Sequence, residues 1–323
     1  MNENPLLSIV ITSYTMERLR DVFQLLDSLK SQTYPNLEII VVVERSADLL
    51  ESIKQHVSGQ TMPSIRIIFN SGEQGLSAAR NLGFRESNGN IIAFIDDDAF
   101  PGPEWAEQII KTYGDDSIIG VTGPSIPLWE NDNLAWVPEE FYWIIGASGY
   151  KEWTENREVR NVSGTNMSFK REAFTLAGLF STDLGAIEGG GGLGKQKFSG
   201  EETEFCIRLK TKSHKRIIYN PKVQVCHRVY KYRVTPRFIA RRAYSEGYTK
   251  AMFKKKYSNQ NGKSTLDVEF NLLNRISTKL LPSIFRGLFI HPGVSFRRLG
   301  MTVNAVFFTA SGYLFYPIRN MFA

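Results

Sequence analysis

Cysteine is scarce in this chain: Cys206 and Cys226 are the only two in 323 residues. Two thiols so placed make neither a metal knuckle nor a disulfide framework, so the bulk of the chain reads as built for a reducing compartment. Both are expected to be inert core thiols. A secretory leader is missing as well, because Met1 to Leu7 has no basic stretch followed by an apolar run. The folded part is therefore expected in the cytosol. The loop Ser13 to Arg18, which follows the first apolar run, has no glycine, and that argues against a dinucleotide-binding Gly-x-Gly-x-x-Gly fingerprint. Acids are nearly absent between Arg208 and Lys256, where sixteen Lys or Arg stand against the single Glu246. The imbalance is local, since the whole chain carries 39 basic and 33 acidic side chains. A solvated basic face is one reading of this segment; phosphate groups of a substrate or an anionic membrane surface suit it better. Nucleic acid is not expected, because no helix-turn-helix, zinc-finger or RNA-binding signature accompanies the charge.

With 42% hydrophobic and 12% aromatic residues, the chain can bury the core of one large domain, with or without an extension. Leu6 to Thr12, Leu37 to Val43, Ile65 to Phe69, Ile91 to Ile95 and Ile118 to Thr122 are short β-branched apolar runs and read as strands. Between them, helical spacing from Leu19 to Leu29 and over 47–57, 76–87 and 105–113 predicts helices, with Pro103 at the start of the last. Strands apolar on both faces, alternating with amphipathic helices, predict an α/β fold with a buried, largely parallel sheet covered by helices on both sides. In such sheets ligands bind beyond the carboxyl ends of the strands, which directs attention to the residues after Thr12, Val43 and Ile95. After about Gly123 the alternation fades, and Trp129, Trp136, Tyr142, Trp143 and Trp153 are scattered through a polar stretch expected to shape a second half. The glycine run Gly189 to Gly192, with Gly194 beyond it, is expected to be a mobile loop.

Asp96, Asp97 and Asp98 directly follow the fourth strand. Three adjacent carboxylates repel one another and are costly at a partly buried strand end unless a cation neutralises them. If the backbone stays extended, Asp96 and Asp98 project to one side and reach one ion. Oxygen ligands suit Mg²⁺ or Mn²⁺, which keep positions open for phosphate oxygens. An acidic turn in solvent is the alternative, and the strand-end placement favours the metal.

Six segments in order then carry a resemblance: SIVITSYTMER at Ser8 to Arg18, GLSAARNLGF at Gly75 to Phe84, FIDDDAFP at Phe94 to Pro101, GTNMSFKREAF at Gly164 to Phe174, GEETEFCIRL at Gly200 to Leu209, and His227 beyond them. From Leu7 to about Lys250 the chain resembles a family-2 glycosyltransferase with the GT-A nucleotide-sugar-binding fold, a Rossmann-like mixed sheet with helices on both faces. The resemblance implies a catalytic domain over 1–250, divided into a nucleotide-sugar half at 1–123 and an acceptor half at 124–250. Thr12, Ser13, Tyr14 and Glu17 would line the nucleoside site, together with Asp96 and Asp97. Glu44 would stand where the family usually has an aspartate on the base, although Val43-Glu44-Arg45-Ser46 replaces the common Asp-Asp-Gly-Ser and leaves the nucleotide less certain. Arg80 would approach the diphosphate or Asp96; a salt bridge on a helix face is its plainer reading. Asp98 would hold the metal, with His227 completing its site; a structural histidine on a short strand is the rival. Glu202 would be the catalytic base that takes the acceptor's proton in an inverting transfer, with Glu201 as the substitute. Acids at a helix N-terminus are also favoured by the macrodipole alone.

Residues 251–323 are expected to form a helical, membrane-associated extension. Met301 to Ile318 has eighteen residues without a charge, near the lower limit for a span, and Asn304, Thr309, Ser311 and Pro317 weaken that reading. Leu280, Leu281, Ile284, Phe285, Leu288 and Phe289 form a second apolar patch suited to an interface plane. The expected location is the cytoplasmic face of the membrane, peripheral or held by one C-terminal span. The expected donor is a UDP-sugar such as UDP-glucuronate. The expected acceptor is a polyprenyl- or dolichyl-phosphate-linked sugar, by similarity to archaeal and bacterial family-2 enzymes that extend lipid-linked oligosaccharides. A catalytically inactive module of the same fold, or a transferase for a soluble or cell-surface polysaccharide, are the alternatives.

Overall fold

The computed structural model describes residues 4–185, 198–257 and 267–319; the glycine run that starts at Gly189 lies outside them. Along the chain run β1 (Leu7–Ser13), α1 (Leu19–Lys30), β2 (Leu37–Glu44), α2 (Ala47–Val57), β3 (Ser64–Asn70), α3 (Leu76–Glu86), β4 (Ile91–Asp96), β5 (Ala99–Pro101) and α4 (Trp105–Thr112). Next come β6 (Ile118–Thr122), β7 (Ser125–Trp129), α5 (Tyr142–Ile145), β8 (Arg157–Glu158), β9 (Asn166–Lys170) and α6 (Glu172–Ala177). The rest is α7 (Glu201–Lys212), β10 (Arg216–Tyr219), β11 (Val225–Val229), α8 (Pro236–Tyr257), α9 (Asp267–Arg275), α10 (Leu281–Gly287) and α11 (Pro292–Arg319). The periodicity of the first 122 residues therefore translated into strands and helices nearly residue for residue.

The chain divides into two compact units, the first drawn from 1–126, 149–197 and 201–227. Its main sheet has the order β3-β2-β1-β4-β9-β6-β10-β8. β1, β2, β3 and β4 pair in parallel, whereas β9 runs antiparallel to both β4 and β6. Every residue of β2 is buried, which is why its sequence is a continuous apolar run rather than an alternating one. Val10, Ile40, Val42, Ile92 and Phe94 join Ala79 of α3, Phe174 of α6 and Phe205 and Cys206 of α7 in one core. The alternate residues Ile9, Ile11, Ile39 and Val41 are equally buried on the other face. α3 lies hard against β1 because Gly83 has no side chain: a Cβ there would fall 2.2 Å from Val10 Cγ1.

Cys206 matches its expectation, since it is buried and burial pushes its thiol up to about 12. Cys226 does not. It is exposed, because on β11 it alternates with the buried His227 and points the other way.

The second unit, drawn from 127–148, 198–200 and 228–323, is helical with its own core. Phe141, Ile144 and Ile145 pack there with Ile239 of α8, Ile284 of α10 and Met301 and Ala305 of α11. α8 and α11 touch backbone to backbone, since a Cβ on Gly247 would lie 1.9 Å from the carbonyl oxygen of Thr309. The division expected at residue 250 falls inside α8, which continues unbroken to Tyr257. Among the described residues no helix is long and apolar enough to cross a membrane, so a single span over 301–318 has no support. Asn304, Thr309 and Ser311 interrupt that run, and α11 turns Met301 and Ala305 into a protein core.

Candidate active site

β1 and β4 are neighbours with Thr12 opposite Asp96, while β2 lies on the other side of β1. The chain's strand order thus reverses between β1 and β4, and at their carboxyl ends an open α/β sheet forms its ligand crevice. Ser13 Oγ donates to Asp97 Oδ2 across this point at 2.5 Å. Burial, followed by the neighbouring Asp98 carboxylate, pushes the Asp97 carboxyl up to about 8, against the opposing effects of Arg18 and Ser13. Asp97 is therefore held to the protein, while Asp96 stays half-buried at the strand end.

Asp98 is 2% exposed and His227 fully buried. They meet because β5, which starts one residue after Asp98, pairs antiparallel with β11 and sets Ala99 opposite His227. His227 Nε2 stands 3.1 Å from Asp98 Oδ1, about the spacing of two neighbouring ligands on one ion with bonds of ~2.1 Å. Arg18 Nη1 donates to the other oxygen, Asp98 Oδ2, at 2.5 Å. Asp96, Asp98 and His227 each offer a ligand atom within 4.8 Å of the others. Two carboxylates and one imidazole make a donor set fit for a divalent cation such as Mn²⁺.

Arg80, 2% exposed on α3, ties this cluster to α7. It donates from Nη2 to Asp96 Oδ1 and to the Gly164 carbonyl, both at 2.9 Å, and from Nη1 to Glu201 Oε1 at 2.8 Å. Asp96, one of its two expected neighbours, is thus in contact with it. The carbonyl of Gly164 is in reach because β9 runs beside β4 with Asn166 opposite Ile95. Asn166 is locked there by accepting from Trp105 Nε1 at 3.0 Å and donating to the Val223 carbonyl at 2.7 Å. Glu201 is buried and Glu202 half-buried. The Glu202 carboxyl carbon lies 3.7 Å from where a Cβ on Gly164 would sit, and Arg80 Nη2 lies 3.6 Å from it. Glu204, next on the helix, accepts from Arg208 at 2.8 Å and is structural.

The remaining expected residues are less tightly gathered. Thr12 and Tyr14 are half-buried, and Glu17 is exposed in a turn that Thr15 caps. Glu44 is buried and accepts from the Gly75 N–H at 3.1 Å and from Asn70 Nδ2 at 2.7 Å, so it fixes the start of α3. Two residues escaped the sequence reading. Arg18 closed the first loop and the first motif with no role assigned, yet three adjacent acids needed a buried cation. Arg45 has a φ of 62°, and Ser46 N–H donates back to the Glu44 carbonyl at 2.7 Å, a strained three-residue turn. Its guanidinium stands 5.6 Å from the centre of the Tyr14 ring. Its signal was the missing glycine of Asp-Asp-Gly-Ser, where positive φ is ordinarily free of cost.

The sequence matches the family described as Glycosyl transferase family 2 over residues 8–176. The chain belongs to glycosyltransferase family 2. It is 31% identical over 246 residues to the glucosyl-dolichyl phosphate glucuronosyltransferase of Haloferax volcanii, an alignment that covers 75% of each chain. A second Haloferax volcanii protein, glycosyltransferase AglE, is 33% identical over 110 residues, covering 33% of this chain and 35% of its own. Among solved structures, the Pyrobaculum calidifontis mannosyltransferase PcManGT, in complex with GDP-Man and Mn²⁺, superposes with a TM-score of 0.58 at 18% identity over 94% of this chain and 88% of that one. GalNAc-T7 with UDP, GalNAc and Mn²⁺ gives 0.54 at 15% identity, covering 85% of this chain and 58% of that one. The family-2 chain thus has the expected GT-A fold, and its activity class is glycosyl transfer.

Proposed function

We propose that this glycosyltransferase moves a hexosyl group from a UDP-sugar, with UDP-glucuronate the leading candidate, to a polyprenyl- or dolichyl-phosphate-linked sugar, with inversion at the anomeric carbon. The observation that carries the reading is the single buried cluster in which Arg80 joins Asp96 to Glu201, with Asp98 and His227 facing each other beside it. The identity and coverage shared with the Haloferax glucuronosyltransferase support the choice of donor and acceptor.

In this reading Asp98 and His227 hold a divalent cation, Mn²⁺ in preference to Mg²⁺ because one ligand is an imidazole. When bound, the cation offsets the charge that develops on the leaving nucleotide diphosphate. Asp96, oriented by Arg80, faces the nucleotide's ribose, and Thr12, Ser13, Tyr14, Glu17, Glu44 and Asp97 line or support the nucleoside site. Glu202 takes the proton from the acceptor hydroxyl as its oxygen attacks the anomeric carbon from the face opposite the nucleotide. Glu202 suits that task better than Glu201, whose carboxylate is buried and engaged by Arg80. The acceptor's lipid places the chain at the cytoplasmic face of the membrane as a peripheral protein.

The test is a panel of UDP- and GDP-sugars offered with Mn²⁺ and lipid extracts, with products identified by mass. Transfer from UDP-glucuronate to a lipid-linked sugar is expected, reduced roughly a hundredfold or more in Glu202→Gln with donor binding kept. Donor binding without any turnover would make the chain an inactive module. Full turnover in Glu202→Gln would move the base to Glu201.

A further inference from the structure

Large apolar side chains stand outside the protein in one region. Among the described residues, Phe285 is 55% exposed, Phe289 93% and Ile290 70%. Among the exposed positions of α11, those at 296, 300, 303, 307, 310 and 314 follow the three- and four-residue steps that keep side chains on one helix face. Their occupants are Phe, Gly, Val, Phe, Ala and Leu, with no polar residue among them. At ~1.5 Å of rise per residue this stripe is about 27 Å long. The buried positions Met301, Ala305 and Gly312 lie between its members, so the outward stripe is distinct from the apolar residues that α11 turns into the core, where Ser295 and Thr302 are buried as well. Exposed apolar stretches of this size mark interaction surfaces.

Charge decides what covers it. From Asp267 to Arg319 the sequence has six Lys or Arg and two acids, and both acids, Asp267 and Glu269, come at its beginning. Arg297 and Arg298 stand in the first turn of the stripe, directly after Phe296, and Arg319 follows it, with no charged residue from Leu299 to Ile318. An apolar face without acids, bordered by cations, complements the headgroup and acyl boundary of an anionic bilayer.

We infer that the outward stripe of α11, continued by Phe285, Phe289 and Ile290, lies in the plane of an anionic membrane surface and anchors the enzyme there without spanning it. This deepens the peripheral location proposed above by assigning the surface that makes the contact.

Flotation of the full chain with vesicles of phosphatidylcholine, with and without phosphatidylglycerol, tests the assignment beside the triple substitution Val303→Asn, Phe307→Asn, Leu314→Asn. Wild type is expected to float, more strongly with phosphatidylglycerol, and the triple variant to partition at least roughly tenfold more weakly. The variant should keep its melting temperature and its donor hydrolysis in detergent. In Phe307→Trp, fluorescence should be quenched by lipids brominated near the headgroup more than by lipids brominated at the chain end. Quenching strongest at the chain end would overturn the in-plane placement. Undiminished flotation of the triple variant overturns the stripe while leaving peripheral location standing, and failure of wild type to float overturns both. A wild-type dimer by light scattering that becomes monomeric in the variant, with no change in flotation, assigns the stripe to a second copy and overturns the inference.

Discussion

The two units place polar and apolar groups in opposite ways. In the first, Arg18, Arg80, Asp98, Glu201 and His227 are all less than a tenth exposed, inside walls of strands that are apolar on both faces. In the second, a buried cluster is aliphatic and aromatic, the buried polar residues include Glu140, Ser295 and Thr302, and phenylalanines stand in solvent on α10 and α11. Buried charge is unfavourable unless it is paired, and Asp96, Asp97, Asp98 and Glu201 each have an arginine, serine or histidine against them. Exposed phenylalanine is unfavourable unless something covers it. Each unit thus contains a local departure from the ordinary distribution, and the two proposals above rest on these departures.

The comparison breaks most visibly through the buried charges. Asp98→Asn keeps the size of the side chain and removes its charge, and is expected to lower transfer roughly a thousandfold and to abolish Mn²⁺ binding measured by electron paramagnetic resonance without donor. Retained transfer with retained Mn²⁺ binding would remove Asp98 from the metal site. Next in size is a pair of truncations. Phe205→Ala, in the first unit's core, should cost about 3–5 kcal/mol in denaturant unfolding. Phe289→Ala, at 93% exposure, should stay within about 0.5 kcal/mol, and a large loss there would show that the exposed face is covered by protein.

Smaller still is Arg45→Gly, which relieves the positive φ and is expected to stabilise the chain by about 1 kcal/mol. A drop in stability would mean that the guanidinium over Tyr14 outweighs the strain. The least effect concerns Glu38, at the opposite end of β2 from the site. Burial tends to raise its pKa, but hydrogen bonds from Ser8 and Asn88 and the charge of Arg66 outweigh this and hold it below the ordinary 4.5. A lowered folded-state pKa gives stability that is complete above 4.5 and lost as pH falls through the folded value. Melting temperature against pH should therefore fall less steeply on the acid side in Glu38→Gln than in wild type.

Much of the fold was legible in advance because β1 to β4 and β6 are short apolar, β-branched runs and the helices between them keep the 3.6-residue period. The acidic cluster was legible for a related reason: three consecutive acids after an apolar strand are unusual whatever surrounds them. Arg18 and the outward stripe of α11 were not, since nothing local separates a buried arginine from an exposed one or tells which side of an apolar helix faces a core, and Arg45 had only the missing glycine as its signal. Cys226 was misread on the same ground, as a β11 position whose face only its neighbours decide.

By itself the sequence determined which segments become strands and helices, that a carboxylate cluster ends the fourth strand, and, through six ordered motifs, the family. The first two follow from local sterics, side-chain spacing and charge crowding, all of which act over a few residues, and the family follows from the resemblance those motifs carry. The tertiary structure alone decided that Ala99 pairs with His227, that Arg80 bridges Asp96 and Glu201, and that α11 keeps one apolar face outward. Such contacts join residues up to 128 positions apart, and their pairing depends on how the whole sheet and helix set pack together rather than on any neighbour in the chain.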